Sequence, residues 1–131
     1  MTADVLVVDD DEDIRSLLFD HFPPAYAVET ASDGEEAWRT LRDRADDPPS
    51  VVVADVMMPK LDGFRLLSRM RDDERFADVP VVMLTSRGRE SDVEAALDGG
   101  ATDYVTKPFV VSDLVDRVER CLGEQPQTPC Q

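Results

Sequence analysis

The stretch "VLVVDDDED" (residues 5–13) runs four apolar residues straight into five consecutive acids. Its apolar half lacks the polar alternation of a half-exposed strand and reads as buried on both faces, as in the middle of a parallel sheet. The acidic half exceeds what local structure asks for. A turn uses one Asp, and a helix start gains from one or two acids. A nucleotide-binding fold would place glycines after this strand, and carboxylates there would repel a pyrophosphate. The acids therefore need a reason of their own.

Outward from this stretch the same design repeats. Apolar strands are predicted at "DVLVVD" (4–9), "YAVETA" (26–31), "SVVVAD" (50–55), "PVVMLT" (80–85) and "ATDYVT" (101–106). The second alternates more than the others and suits a sheet edge. Helical stripes fall between them. Ile14, Leu17, Leu18 and Phe22 form the first, stopped by Pro23–Pro24. Ala37, Leu41 and Ala45 form the second, with Ser32 or Asp33 as its cap. Leu66, Leu67 and Met70 mark a third. Val93, Ala96 and Leu97 mark a fourth that ends at Gly99–Gly100. Leu114, Val115, Val118, Cys121 and Leu122 mark a fifth, with Ser112 as the expected N-cap. Strand–helix alternation at this pitch implies βαβ units and a parallel sheet covered by helices on both faces.

The 131 residues suit one domain with a real core, 42% of them apolar. The domain is expected over 1–123, with 124–131 a flexible tail or truncated linker. No apolar run is long enough to span a bilayer, and "MTADVLVV" lacks a signal-peptide pattern, so a cytoplasmic location is expected. Cys121 and Cys130 lack metal or redox spacing, and neither a disulfide nor a zinc site is expected of them. The net charge of −15 repels nucleic acid and anionic lipid, which argues against binding to either. Asp supplies 20 of the 29 acids, and Lys60 and Lys107 are the only lysines. Such self-repulsion is relieved by salt, so a halophilic source is one reading and an ordinary acidic signalling domain the other.

In open parallel sheets the functional crevice lies at the carboxyl ends of the strands. There the sequence places Asp9 and Asp10, Asp55, Thr85–Ser86 and Lys107–Pro108. Three clustered carboxylates call for a cation, and an all-oxygen set suits a hard ion such as Mg²⁺. The charges also balance, because three carboxylates, one lysine and Mg²⁺ sum to zero. A carboxylate nucleophile beside a cation and a lysine fits phosphoryl transfer, and Asp55 stands alone at the end of the middle strand.

These segments resemble the receiver domain of two-component response regulators. "VLVVDDDEDIR", "VVVADVMMPKLDGF", "VVMLTS" and "GATDYVTKPF" match its signatures in order, over residues 4–122. The resemblance implies a flavodoxin-like (βα)5 fold of three αβα layers with strand order 2-1-3-4-5. It implies Asp55 as phosphoacceptor from a sensor histidine kinase or phosphotransfer protein, with Asp10 a direct Mg²⁺ ligand and Asp9 one acting through water. Met57 would add a backbone carbonyl. Thr85 and Lys107 would hold the phosphoryl group, and Tyr104 would turn inward as Thr85 shifts. The surface around the fourth helix, the fifth strand and the fifth helix would then signal to a downstream effector. Ser86, Pro108 and Arg87 are secondary site residues, and the Lys107–Pro108 bond is expected cis. Such a domain is a stoichiometric phosphoacceptor that assists its own phosphorylation and dephosphorylation, not an enzyme.

Departures matter too. Met57 and Arg87 occupy variable flanking positions, and apolar Met57 implies a long-lived phosphoryl group. Val110–Val111–Ser112 replaces the usual Ser-Pro after "KPF". Asp103 and Arg117 fit a phosphorylation-dependent dimer pattern, whereas Thr102 and Val93–Glu94–Ala95 depart from it. Two rival readings are a small Mg²⁺-dependent phosphatase with an aspartyl nucleophile, and a docking receiver that works without phosphorylation. The phosphatase pattern needs a second Asp where Met57 stands. His21 reads as a surface residue, and Trp38 and Phe64 as packing residues.

Overall fold

The computed structural model describes residues 3–24, 26–58, 60–85 and 98–123. Five strands make one parallel sheet: β1 (Ala3–Val8), β2 (Tyr26–Ala31), β3 (Val51–Asp55), β4 (Val81–Thr85) and β5 (Asp103–Thr106). Their order is β2-β1-β3-β4-β5, the predicted flavodoxin-like arrangement, and every adjacent pair is parallel. β2, whose sequence alternates most, is an edge strand as expected.

Helix α1 (Glu12–His21) stops at Phe22, just before the Pro23–Pro24 pair. Helix α2 (Gly34–Asp43) is capped by Asp33 and α3 (Gly63–Arg71) by Asp62, each through a side-chain oxygen that accepts a backbone N–H. A C-terminal helix covers Val111–Gly123. Ser112 therefore stands inside this helix and is not its cap. The carbonyl of exposed Val110 accepts the first bonds, from Asp113 and Leu114, so an apolar residue holds the cap position. The predicted fourth helix, at 93–97, lies outside the described residues. Gly100, in the turn behind it, has φ +100°. Among the described residues no helix is long and apolar enough to cross a membrane. The expected tail at 124–131 also lies outside them.

Strand side chains alternate between faces, and each face has its own core. Leu6, Val8, Val52, Ala54, Val81 and Met83 pack under α2 and α3 with Ala37, Leu41, Leu66, Leu67, Met70 and Phe76. Val5, Val7, Val51, Val53, Val82 and Leu84 pack under α1 and the C-terminal helix with Leu18, Leu114 and Val118. Burial on both faces explains why β1, β3 and β4 read as unbroken apolar runs. Trp38 and Phe64 are partly buried packing residues, and His21 is exposed beside the carbonyl of Leu17. Cys121 corrects the sequence expectation. It is disulfide-bonded. Spacing alone does not reveal a bridge whose ends meet only through the fold.

Candidate functional site

The ladder carries the site residues to one level. Asp9 follows β1, and its N–H donates to the Ala31 carbonyl of β2 at 3.1 Å. Asp55 ends β3, opposite Leu84. Thr85 ends β4 opposite Thr106, and the Lys107 N–H donates to the Thr85 carbonyl at 2.7 Å. Sheet register therefore sets this constellation, not loop conformation.

The side chains close on one another. Lys107 Nζ donates to Asp9 Oδ2 at 2.9 Å and to Asp55 Oδ2 at 3.1 Å. Asp9, fully buried, also accepts the Asp11 N–H on Oδ1 at 2.9 Å. Asp55 Oδ1 accepts the Met57 N–H at 3.2 Å. Carboxylate oxygens of Asp9, Asp10 and Asp55 lie within 4.8 Å of one another, with Asp10 open to solvent. On the far side of Asp55, Gly63 fits because a Cβ there would stand 2.3 Å from the Asp55 carbonyl oxygen.

The electrostatics follow from burial. Loss of water pushes the Asp55 carboxyl above the ordinary range, and the neighbouring Asp9 charge pushes it further. Hydrogen bonding and charge from Lys107 and the Met57 N–H pull the other way without cancelling the rise. Burial disfavours the Lys107 ammonium, yet hydrogen bonds and charge from Asp9 and Asp55 outweigh that and hold its pKa above the ordinary value. Three carboxylates and one ammonium leave a formal −2. A divalent cation fits: the donors are all oxygen, its charge cancels the excess, and Asp10 leaves a side open for water. The acidic cluster has the composition of a receiver Mg²⁺ site.

The other predicted residues fall as follows. Thr85 is buried at the end of β4. Tyr104 is half-buried and packs on the core beneath α2 and α3. Pro108 is exposed, and the Lys107–Pro108 bond is cis. Met57 meets the site through its backbone N–H, while its side chain is exposed. Ser86 and Arg87 lie outside the described residues. Asp103 and Arg117, the two residues that fit a dimer pattern in the sequence, pair within this chain, with Arg117 Nη1 2.9 Å from both Asp103 oxygens.

Sequence reasoning missed Arg15, whose guanidinium donates to the Asp9 carbonyl at 2.7 Å. The only signal was a base one turn into the helix behind a buried acid. Its target is a backbone carbonyl, which no residue type marks.

A family model described as the response regulator receiver domain matches residues 5–119. The DNA-binding dual master transcriptional regulator RpaA of Synechocystis is 39% identical over 126 residues, which cover 95% of this chain and 51% of that protein. Response regulator MprA of Mycolicibacterium vanbaalenii is 41% identical over 127 residues, 93% of this chain and 51% of that one. The chain thus spans about half the length of these curated relatives. Among solved structures, the Borrelia burgdorferi CheX-CheY-BeF3-Mg²⁺ complex superposes with a TM-score of 0.80 at 30% identity. That match covers 88% of this chain and 86% of the other.

Proposed function

The chain belongs to the response regulator receiver family, and from that premise we propose that it is a phosphorylation-dependent switch whose phosphoacceptor is Asp55. One observation carries the reading: the Asp55 carboxylate touches Lys107 and has an oxygen within 4.8 Å of carboxylate oxygens of Asp9 and Asp10 at the carboxyl end of the sheet. The family typically accepts a phosphoryl group and is not a true enzyme. The donor we assign is a histidine kinase or phosphotransfer protein in the cytoplasm, and the receiver of the signal is a downstream effector.

Asp9, Asp10 and Asp55 would hold Mg²⁺ together with the Met57 carbonyl, as support from the Mg²⁺-bearing Borrelia relative suggests. When bound, the ion neutralises charge on the equatorial phosphoryl oxygens. The chain's own groups do the rest. An Asp55 oxygen attacks phosphorus, the bond from phosphorus to the donor nitrogen breaks, and the nitrogen keeps the electron pair. The Met57 N–H and Lys107 orient that carboxylate beforehand. Phosphorylation turns a −1 carboxylate into a group near −2. Lys107, already shared between two acids, then moves toward the new oxygens. Thr85 follows, and Tyr104 occupies the space behind it, which changes the surface at β5 and the C-terminal helix.

The test is mass. Acetyl phosphate or phosphoramidate with Mg²⁺ should add about 80 Da, one phosphoryl group, to the intact chain. Asp55→Asn or excess EDTA should prevent it, and addition to the Asn variant would refute the assignment. Exposed, apolar Met57 offers no group to orient a hydrolytic water, so the acyl phosphate should persist. Decay within seconds that Met57→Asn leaves unchanged would defeat that expectation.

A further inference from the structure

The loop from Val56 to Asp62 carries Met57, whose N–H fixes Asp55. Its far end is held from outside the site, by the N-terminus of α2. A Cβ at Gly34 would stand 2.0 Å from the Leu61 carbonyl oxygen and 2.7 Å from Leu61 Cβ, so the two backbones meet there with no room for a side chain. Leu61 is buried in the core beneath α2 and α3. Asp33 serves both sides of this contact. Its Oδ1 accepts the Glu36 N–H at 2.8 Å and caps α2, while its Oδ2 lies 3.6 Å from Lys60 Nζ. Lys60 has φ +67°, a conformation that a residue other than glycine keeps only where its surroundings hold it.

We infer that Asp33 and Gly34 are positioning residues for the cation loop. They clamp residues 60–61, and through them the Met57 segment, so that cation affinity depends on a helix that supplies no ligand. The inference rests on the Mg²⁺ reading above. The clamp continues along α2. Trp38 meets Phe76 edge-to-face at 5.7 Å, the Arg69 guanidinium stacks 5.8 Å from the Trp38 ring, and Arg69 lies 3.7 Å from Glu35. Trp38 is the only tryptophan, so its emission reports on α2.

Charge alone and a clamp make opposite predictions at Lys60. If only the electric field matters, removing a positive charge near an acidic site tightens Mg²⁺, whereas removing the Asp33 charge loosens it. A clamp makes both substitutions loosen it. The experiment titrates Mg²⁺ into the full chain in 0.15 M KCl, read by calorimetry and by Trp38 emission. The variants are Lys60→Met, Asp33→Asn and their double, since Asn caps a helix as well as Asp. Each single variant should raise the Mg²⁺ Kd about threefold, a change that fits one partly exposed ion pair. The double should be no weaker than the worse single, because both remove one contact. Gly34→Ala should loosen Mg²⁺ about tenfold; if it fails to fold, Lys60→Met decides.

A Lys60→Met chain that binds Mg²⁺ as tightly as wild type, or more tightly, overturns the clamp. So does lower urea stability in EDTA with the Mg²⁺ Kd unmoved, which is all a merely structural role would give. Wild type that shows no Mg²⁺ saturation by either readout overturns the cation reading itself, and this inference with it.

Discussion

β1 joins two clusters of the same stoichiometry, each with two carboxylates around one base. Just past its carboxyl end, Lys107 bridges Asp9 and Asp55. Near its amino end, Arg44 bridges Asp4 at 2.7 Å and Glu29 at 3.3 Å. Water separates their behaviour. The Asp9 and Asp55 side chains are 0% and 7% exposed, against 28% and 49% for Asp4 and Glu29. Solvent screens the excess negative charge in the second cluster. In the first it has no such relief, and Asp55 responds with a raised pKa. The same charge pattern, two acids around one base, thus gives a solvent-screened cluster at one end of the strand and a buried one with unrelieved negative charge at the other.

Removal of the base should separate the two most widely. Without divalent cation, Lys107→Met leaves two buried carboxylates facing each other, and should lower urea stability by about 3 kcal/mol. Mg²⁺ should recover much of that loss, because the variant site is more negative and binding stabilises the folded state. Arg44→Met should lose about 1 kcal/mol or less, with no Mg²⁺ recovery. Equal losses, or equal responses to Mg²⁺, would break the contrast between the clusters.

Neutralising one acid should have a smaller effect of opposite sign. In EDTA, Asp55→Asn should stabilise the fold by about 1 kcal/mol, because it relieves the repulsion between two buried carboxylates while Lys107 keeps Asp9 as its partner. The pH dependence follows from linkage. The unfolded chain releases the Asp55 proton near the ordinary value of about 3.9, and the folded chain releases it higher. Between those two points the folded wild type holds more protons, so its stability relative to Asn falls as pH rises. Above the folded pKa the gap stays constant. Paired urea titrations of the two proteins from pH 3.5 to 8 should show a gap that opens and then levels. A gap that shrinks with rising pH would mean that Asp55 is favoured, not penalised, in its ionised form.

Much of this was legible in the sequence because sheet register does the positioning. Asp55 and Thr85 end their strands and Asp9 and Lys107 stand one residue past theirs, and unbroken apolar runs identify three of the four strands concerned. Arg15 and Gly34 were not legible as partners. Arg15 aims at a carbonyl, and Gly34 is defined by how closely Leu61 approaches it, so both depend on backbone atoms common to every residue. The C-terminal helix start was misread because Ser112 has a good capping side chain, yet the chain turns two residues too early to use it. The Cys121 bridge was missed for a related reason, since spacing says little about where two thiols end up.

Salt gives the smallest effect and the sharpest comparison. At 1 M KCl the Debye length falls to about 3 Å, enough to screen exposed pairs but not a cluster that excludes water. With a net charge of −15, wild type should gain melting temperature as KCl rises. Against that common trend, the Arg44→Met loss should shrink from about 0.5 kcal/mol toward zero, as expected of a solvated ion pair. The Lys107→Met loss should keep most of its size, because Asp9 and Asp55 are buried and a diffuse atmosphere of potassium screens buried charges far less than exposed ones. Should KCl erase both losses in the same proportion, water must reach Asp9 and Asp55 as freely as it reaches Glu29, and burial would no longer explain why one cluster is poised for chemistry and the other is not.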